Sequence, residues 1–284
     1  MAVTSARAIV GIKEKGHFEH EDARIEKYTL ADELPEKLSE LRLRPLSLDK
    51  RPLGLDQRPL GMDQRPLSKD KRPGYTVRRL GPQDKEQTLQ FLRRFFFRDE
   101  PMNQAIQLLE TPDSRCEELE DYAAATLDEE VSFAVVDDQG EFAGVIINGI
   151  VRREDALAAA AVDKSSECPD PKFRRILSVL GHLERAARVW EQLAGAPVLE
   201  VRIASTHSAW RGRGLMRVLC EETERLAKQL GCGALRMDAT SAFSAAAAER
   251  LGYRCVYRVK YTDLPEAPVP DPPHTEARVY LKEI

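Results

Sequence analysis

The sequence predicts an α/β fold in which a central β-sheet carries helices on both of its faces. From Tyr75 to the C-terminus, alternating apolar runs and runs with a helical apolar face follow the order β-αα-ββ-α-βα-βα-ββ. Residues 1–74 differ from this part, because aromatic residues are nearly absent and a proline-containing repeat occupies much of the segment. We therefore expect an N-terminal region, 1–74, followed by one compact domain, 75–284.

The overall composition has no strong charge bias. The chain has 284 residues and a formal net charge of −4, so charge gives no reason to expect nucleic acid binding. There is no apolar run of about 18 residues and no secretory leader, so we expect no membrane span and a cytoplasmic protein. The 5 cysteines never form a C-x-x-C pair, which is typical of reduced thiols. The histidines are dispersed, so no metal site is expected.

A seven-residue repeat runs through the N-terminal region. Its copies read RPLSLDK (44–50), RPLGLDQ (51–57), RPLGMDQ (58–64) and RPLSKDK (65–71). A heptad period is typical of a coiled coil, but the proline in every copy prevents a continuous helix, and too few apolar residues are present to build a core. We therefore expect a disordered linker. The alternative is a docking array for a protein partner that reads Arg-Pro-Leu and gains affinity from repetition.

The first half of the compact domain contains one break of interest. The predicted elements are a strand at 76–80, a helix from 84 to 99–101, a helix or helix pair at 103–127 interrupted at 111–113, and a hairpin of strands 132–136 and 142–151. Pro101 disfavours a helical backbone at Glu100, so Glu100 lies at a helix break beside the aromatic residues 95–97. A solvated helix end is the ordinary interpretation of such a residue.

The second half alternates helices and strands. The predicted elements are a loop with some helix at 154–171, a helix at 173–193, a strand at 199–203, a helix at 215–230, a strand at 234–239, a helix at 240–251, a strand at 253–261, a proline-rich loop at 263–273 and a strand at 277–282. Gly231 and Gly252 follow the two helices at 215–230 and 240–251 as expected for helix C-termini.

A glycine-rich turn, Arg211-Gly212-Arg213-Gly214, connects the strand at 199–203 to the helix at 215–230. The first N–H groups of a helix have no partner within the helix, and the helix dipole is positive there. The two glycines allow a diphosphate to approach the backbone, and the two arginines add positive charge. A tight connection without a ligand is the alternative. A dinucleotide fold is disfavoured, because no G-x-G-x-x-G follows an early strand.

This turn resembles the acetyl-coenzyme A loop of the GNAT acetyltransferase superfamily, Arg/Gln-x-x-Gly-x-Gly/Ala, through Arg211 and Gly214, although Met216 replaces the usual small residue. Further segments resemble, in the right order, the insect arylalkylamine N-acetyltransferases of the dopamine type. These segments are 95–103 (FFFRDEPMN), 144–153 (GVIINGIVRR), 240–245 (TSAFSA) and 251–253 (LGY). Two departures are that residues 205–209 are less hydrophobic than usual and that Thr240 stands where the family often has serine.

The resemblance implies a GNAT-like mixed, mostly antiparallel sheet and acetyl-CoA as the co-substrate, without a metal. It places the following residues at the coenzyme: Ser205, Thr206, Arg211, Gly212, Arg213, Gly214, Leu215 and Met216. A backbone N–H of Ser205 or Thr206 would bind the thioester carbonyl.

Chemistry and resemblance together suggest catalytic residues. An alkylammonium has a pKa of about 10, so a base must remove its proton before the nitrogen attacks the thioester. Glu100 has a setting that can raise its pKa, and the family assigns the base role to the matching Glu. Ser244, with Thr240 one helical turn before it, is a candidate proton donor to the thiolate, although a serine near a helix start is more often a cap. Ala248 stands where vertebrate-type relatives carry a tyrosine general acid.

Three functions are consistent with the sequence. The first is acetylation of a small arylalkylamine of the dopamine, serotonin or tryptamine class by a monomeric enzyme, which the phenylalanines at 95–97 favour. The second is acetylation of a polyamine or a protein amine. The third is a weakly catalytic coenzyme A-binding scaffold that acts through the Arg-Pro-Leu repeats, against which the intact Glu100 and Arg211 argue.

Overall fold

The computed structural model describes residues 74–161, 164–193 and 195–284. The predicted disordered linker and the Arg-Pro-Leu docking array lie outside the described residues. None of the helices in the described part of the chain has the length and apolar character that a membrane-spanning segment needs.

The strands form one sheet with the order β1-β2-β3-β4-β5-β7-β6. They are β1 (Tyr75–Leu80), β2 (Ser132–Asp137), β3 (Phe142–Val151), β4 (Val198–Thr206), β5 (Ala234–Ala239), β6 (Arg254–Lys260) and β7 (Glu276–Glu283). Every neighbouring pair is antiparallel except β4 and β5, which are parallel. The predicted mixed, mostly antiparallel sheet is therefore confirmed.

The helices lie on both faces of this sheet. They are α1 (Lys85–Phe95), α2 (Pro101–Ala105), α3 (Glu117–Ala124), α4 (Arg153–Ala161), α5 (Pro171–Ala186), α6 (Leu215–Leu230) and α7 (Ala242–Arg250). Apolar residues of α1, α3 and α5 belong to one large buried cluster, and those of α6 and α7 belong to a second. Successive residues of β2 alternate between the clusters, with Phe133 in the second and Ala134 in the first.

Two predicted helices end earlier than expected. The helix that starts near Asp84 ends at Phe95, and a turn carries the chain to Glu100, which has an extended backbone (φ −72°, ψ 126°) directly before Pro101. The predicted effect of Pro101 on Glu100 is thus observed. The helix predicted at 173–193 ends at Ala186, because Arg188 adopts a left-handed conformation (φ 46°).

The sheet opens between its two parallel strands. β4 and β5 pair only from Val198 to Val201, opposite Ala234 to Met237. Beyond this point β4 continues to Thr206 along β3, whereas β5 continues to Ala239 along β7. The carboxyl ends of the two strands therefore diverge, and we call the space between them the strand gap.

A buried charge cluster lies where the parallel pairing ends. Arg236 of β5 is opposite Glu200 of β4 and donates two hydrogen bonds of 2.8 Å to Asp238. It also donates to Glu184 of α5. Burial raises the pKa of Asp238, although Arg236 acts in the opposite direction. The cluster joins α5 to both parallel strands just below the strand gap.

Candidate active site

The turn between α1 and α2 is hydrogen-bonded to both strands that flank the strand gap. At its start, Ser205 of β4 donates a hydrogen bond of 2.9 Å to the carbonyl oxygen of Phe95. At its end, Glu100 accepts a hydrogen bond of 2.9 Å from the hydroxyl of Thr240, the residue that follows β5. Residues 95–100 therefore bridge the strand gap and hold Glu100 beside it.

Glu100 is buried, with only 2% of its surface exposed. Its Oε2 atom accepts a hydrogen bond of 2.8 Å from the N–H of Asn103, which makes Glu100 the N-cap of α2. Burial raises the pKa of Glu100 to about 7, although hydrogen bonds from Asn103, Thr240 and Met102 act in the opposite direction. The ordinary interpretation as a solvated helix end is therefore wrong, and this carboxyl can exchange a proton near neutral pH.

A cavity of about 860 Å³ lies along the glycine-rich turn, α6 and α7. Most of the residues predicted at the coenzyme line it, namely Thr206, Arg211, Gly212, Gly214, Leu215 and Met216. Arg217, Arg250 and Lys282 add positive charge to its lining, and Glu221 and Glu224, which pair with Arg217 and Lys282, add negative charge. Together with Arg211, the lining carries more positive than negative charge.

The turn has open space where a diphosphate would approach. Gly212 (φ 76°) and Gly214 (φ 80°) have left-handed backbones, and a Cβ added at either position would meet no heavy atom within 4 Å. Gly214 is the N-cap of α6, and Val218 donates the first bond to its carbonyl oxygen. The N–H groups at 215–217 precede this bond, so the residues present fit a bound diphosphate.

Of the two candidate donors to the thioester carbonyl, the strand geometry favours Thr206. The N–H of His207 donates to the carbonyl oxygen of Ala143 in β3 over 3.0 Å. Because alternate N–H groups of a strand point to opposite edges, the N–H of Ser205 also points to β3, and that of Thr206 points to the strand gap. Ser205 is not among the cavity-lining residues.

Two arginines of the turn contact other side chains of the same chain. Arg211 forms an ion pair of 2.7 Å with Asp99, which connects the turn to the segment that carries Glu100. The Arg213 guanidinium lies over the ring of Trp210, 5.2 Å from its centroid. Trp210 lines the cavity, whereas Arg213 does not.

Ser244 takes part in a helix cap. Its N–H donates to Ser241 Oγ over 3.0 Å, and its hydroxyl donates to the carbonyl oxygen of Ser241 over 2.9 Å. The Thr240 hydroxyl donates to Glu100 instead of forming the predicted pair with Ser244. A proton donor role for Ser244 stays a prediction, since its hydroxyl hydrogen is engaged in the cap.

The phenylalanine cluster has a structural role. Phe96 and Phe97 are each 2% exposed and belong to the core beneath α1 and α3. Phe95 is half-buried, with its ring centroid 4.1 Å from that of His207. The preference of this cluster for an aromatic amine stays a prediction, because Phe95 is only half-buried and Phe97 also lines a pocket.

Sequence reasoning did not identify several residues of the site. Arg250 shares a helix face with Ala247, which also lines the cavity, and this spacing could have indicated it. Lys282 comes from the last strand, and Tyr261 begins the short helical turn that directly follows β6; no local sequence pattern indicates either residue. Among the described residues, Cys116, Glu118 and Asp170 place potential metal ligands within 4.8 Å of one another, but Asp170 caps α5 there.

Residues 91–253 match the model of the acetyltransferase (GNAT) family. The chain belongs to this family. As a GNAT acetyltransferase it uses acetyl-CoA, for which the open glycine-rich turn and the basic cavity are suited.

Among solved structures, arylalkylamine N-acetyltransferase 2 from Aedes aegypti is 30% identical, with a TM-score of 0.69 over 74% of this chain and 99% of that chain. This likeness confirms the resemblance to the insect enzymes. The Drosophila melanogaster polyamine N-acetyltransferase, which forms N-acetylagmatine, is 21% identical, with a TM-score of 0.66 over 74% of this chain and 100% of that chain. A mosquito arylalkylamine N-acetyltransferase-like protein, 5b, is 23% identical, with a TM-score of 0.64 over 74% of this chain and 100% of that chain. The last two show the fold alone.

Proposed function

We propose that this GNAT protein transfers the acetyl group of acetyl-CoA to the primary amine of an arylalkylamine, with Glu100 as the general base. The observation that carries the proposal is the position of Glu100, buried beside the strand gap and bonded to Thr240. The 30% identity to a mosquito arylalkylamine N-acetyltransferase supports the class of acceptor.

The residues of the cavity bind and orient the coenzyme. When bound, acetyl-CoA supplies the acetyl group as a thioester. Gly212, Gly214 and the start of α6 bind its diphosphate, and Arg211 adds charge from the same turn. The N–H of Thr206 donates to the thioester carbonyl, where negative charge grows as the amine attacks.

Glu100 prepares the amine. An arylalkylamine enters as an ammonium ion with a pKa of about 10, and only the neutral nitrogen has the lone pair needed for attack. Near pH 7 a large share of Glu100 is ionised and accepts this proton, directly or through one water molecule. Thr240 stabilises the ionised carboxyl by its hydrogen bond. Ser244 is the candidate donor of a proton to the departing sulfur once its bond to Ser241 opens.

An acetyl-CoA turnover assay across a panel of amines tests this function. We expect tryptamine, serotonin and dopamine to be acetylated with higher kcat/KM than agmatine, spermidine or a lysine peptide, and Glu100→Gln to abolish most of this turnover. Faster turnover of agmatine or spermidine would assign the protein to the polyamine alternative. Absence of turnover with every amine, together with tight coenzyme A binding, would favour the scaffold alternative.

The two tryptophans of the chain allow the coenzyme cavity to be tested separately. Trp210 lines the cavity, whereas Trp190 is buried in a small cluster with Val151 and Val198. We expect coenzyme A to change the fluorescence of Trp190→Phe, which retains Trp210, and to leave that of Trp210→Phe unchanged. The reverse pattern would place the coenzyme elsewhere.

A further inference from the structure

Tyr261 is a buried tyrosine that the proposed mechanism does not use. It directly follows β6, is 0% exposed, and donates its hydroxyl hydrogen to the carbonyl oxygen of Thr240 over 2.7 Å. Burial raises the pKa of this hydroxyl, and the negative charge of Glu100 raises it further. The hydroxyl therefore stays protonated and acts as a donor throughout the neutral range.

The backbone of Thr240 lies beyond the end of the sheet ladder. The last pair between β5 and β7 is Ala239 with Arg278, and the cap of α7 begins at Ser241. The Tyr261 hydroxyl thus supplies the donor that a neighbouring strand supplies to the carbonyl groups of β5. Because Tyr261 is itself packed in the core, it fixes the peptide that carries the Thr240 side chain.

We propose that Tyr261 is a positioning residue for Glu100 and acts through Thr240. Its hydroxyl fixes the Thr240 carbonyl, and the Thr240 hydroxyl is thereby aimed at Oε1 of Glu100. When a hydrogen-bond donor moves away from a carboxylate, the charged form loses stabilisation and the pKa rises. The proposal rests on the proposed function, which makes Glu100 the base, but its predicted effect on the Glu100 carboxyl requires no turnover.

Other charged groups near Glu100 do not replace this contact. The pKa of Glu100 responds to burial and to hydrogen bonds, chiefly those of Asn103 and Thr240. The charged side chains of the neighbouring elements have partners of their own: Asp99 with Arg211, Asp238 and Glu184 with Arg236, Lys172 with Glu110, and Arg98 with carbonyl oxygens of residues 111, 112 and 114.

Titration of the Glu100 carboxyl by carbon-13 NMR tests the proposal in the full chain, with the resonance assigned by its loss in Glu100→Gln. We expect Tyr261→Phe to move the Glu100 midpoint to higher pH and to lower kcat/KM for tryptamine severalfold at pH 7, with recovery at pH 9. The KM for acetyl-CoA should not change. The matched control is Tyr280→Phe, since Tyr280 is equally buried and its hydroxyl donates over 2.8 Å to Glu249, away from Glu100.

The outcomes separate three possibilities. If Tyr261→Phe changes thermal stability as Tyr280→Phe does and leaves the Glu100 midpoint unmoved, Tyr261 is structural only and the proposal is overturned. If Tyr261→Phe does not fold, Thr240→Val takes its place, and an unmoved Glu100 midpoint there overturns the proposal as well. If the midpoint moves in Tyr261→Phe while Glu100→Gln keeps full turnover, the positioning contact stands and the proposed function fails.

Discussion

Thr240 Oγ1 donates a hydrogen bond of 2.9 Å to Oε1 of Glu100, although 140 positions separate the two residues in the chain. This bond connects the start of α2 to the end of β5, and it brings a hydroxyl to a buried carboxyl that has few other donors. The Glu100 side chain is otherwise bonded to backbone N–H groups of α2. The reactivity of Glu100 therefore depends on a contact between distant parts of the fold.

Thr240→Val removes this donor and keeps the shape of the side chain. A hydrogen bond to a charged group contributes about 1.5–3 kcal/mol, so the pKa of Glu100 should rise and kcat/KM at pH 7 should fall by about tenfold or more. The loss should shrink at higher pH, where Glu100 ionises again. Thr240→Ser, which keeps the hydroxyl, is the control. Equal pH–rate profiles for Thr240→Val and the wild type would contradict this account.

Gly214→Val tests the diphosphate site at the start of α6. The added side chain fills open space at the turn, so the Kd for acetyl-CoA should rise tenfold or more, equivalent to about 1.4 kcal/mol. Gly140→Val is the control for backbone strain, because Gly140 also has a left-handed backbone with open space around it (φ 83°), in the hairpin turn away from the cavity. Titration calorimetry measures both. Equal affinities for the two variants would argue against coenzyme binding at this turn.

Much of this architecture is predictable from local sequence patterns. The order of strands and helices follows from apolar periodicity, and the extended backbone at Glu100 follows from Pro101. The glycine-rich turn can be identified because Gly212 and Gly214 lie between a clear strand and a clear helix. Each of these features depends on residues that are close in sequence.

Features that depend on distant contacts could not be predicted. The burial of Glu100 requires that residues 95–100 cross the strand gap, and this follows from bonds to Ser205 and Thr240. The aromatic residues at 95–97 look alike in sequence, yet Phe96 and Phe97 are core residues and Phe95 stacks on His207. Only the packing of α1 on the sheet decides which of these rings is exposed.

Tyr253→Phe should stabilise the protein. The Tyr253 hydroxyl is buried and has no hydrogen-bond partner among the described residues. Removal of an unsatisfied buried hydroxyl should raise the free energy of unfolding by about 1–3 kcal/mol. Urea denaturation measures this change. A lower stability in Tyr253→Phe would mean that the hydroxyl has a partner in solution.

A chain that begins at Gly74 should retain thermal stability and turnover. Residues 74–284 contain every strand of the sheet, Glu100 and the coenzyme cavity. The melting temperature and kcat/KM of this shortened protein, compared with those of the full chain, test whether 1–74 and 75–284 are separate regions. Unfolding on truncation would show that the N-terminal region is part of the domain.

The raised pKa of Glu100 also has a consequence for stability. The folded-state pKa of about 7 lies above the ordinary value of 4.5, so the folded protein holds a proton that the unfolded chain releases between these pH values. The free energy of unfolding therefore loses a contribution as pH rises from about 4.5 to about 7. Glu100→Gln has no such proton to lose, so its stability relative to the wild type should increase over this range. A constant difference would contradict the burial of an ionisable Glu100.

The pH dependence of kcat/KM for an arylalkylamine, measured for the wild type and Glu100→Gln at saturating acetyl-CoA, tests the central claim most directly. We expect wild-type kcat/KM to rise as pH passes about 7, where Glu100 loses its proton. The kcat/KM of Glu100→Gln should be lower by about 10²–10⁴-fold at neutral pH, which is the typical rate contribution of a general base. The gap should narrow toward the pKa of the amine, because the free amine then needs no base. A Glu100→Gln protein with wild-type stability and wild-type turnover at pH 7 would remove Glu100 from the mechanism.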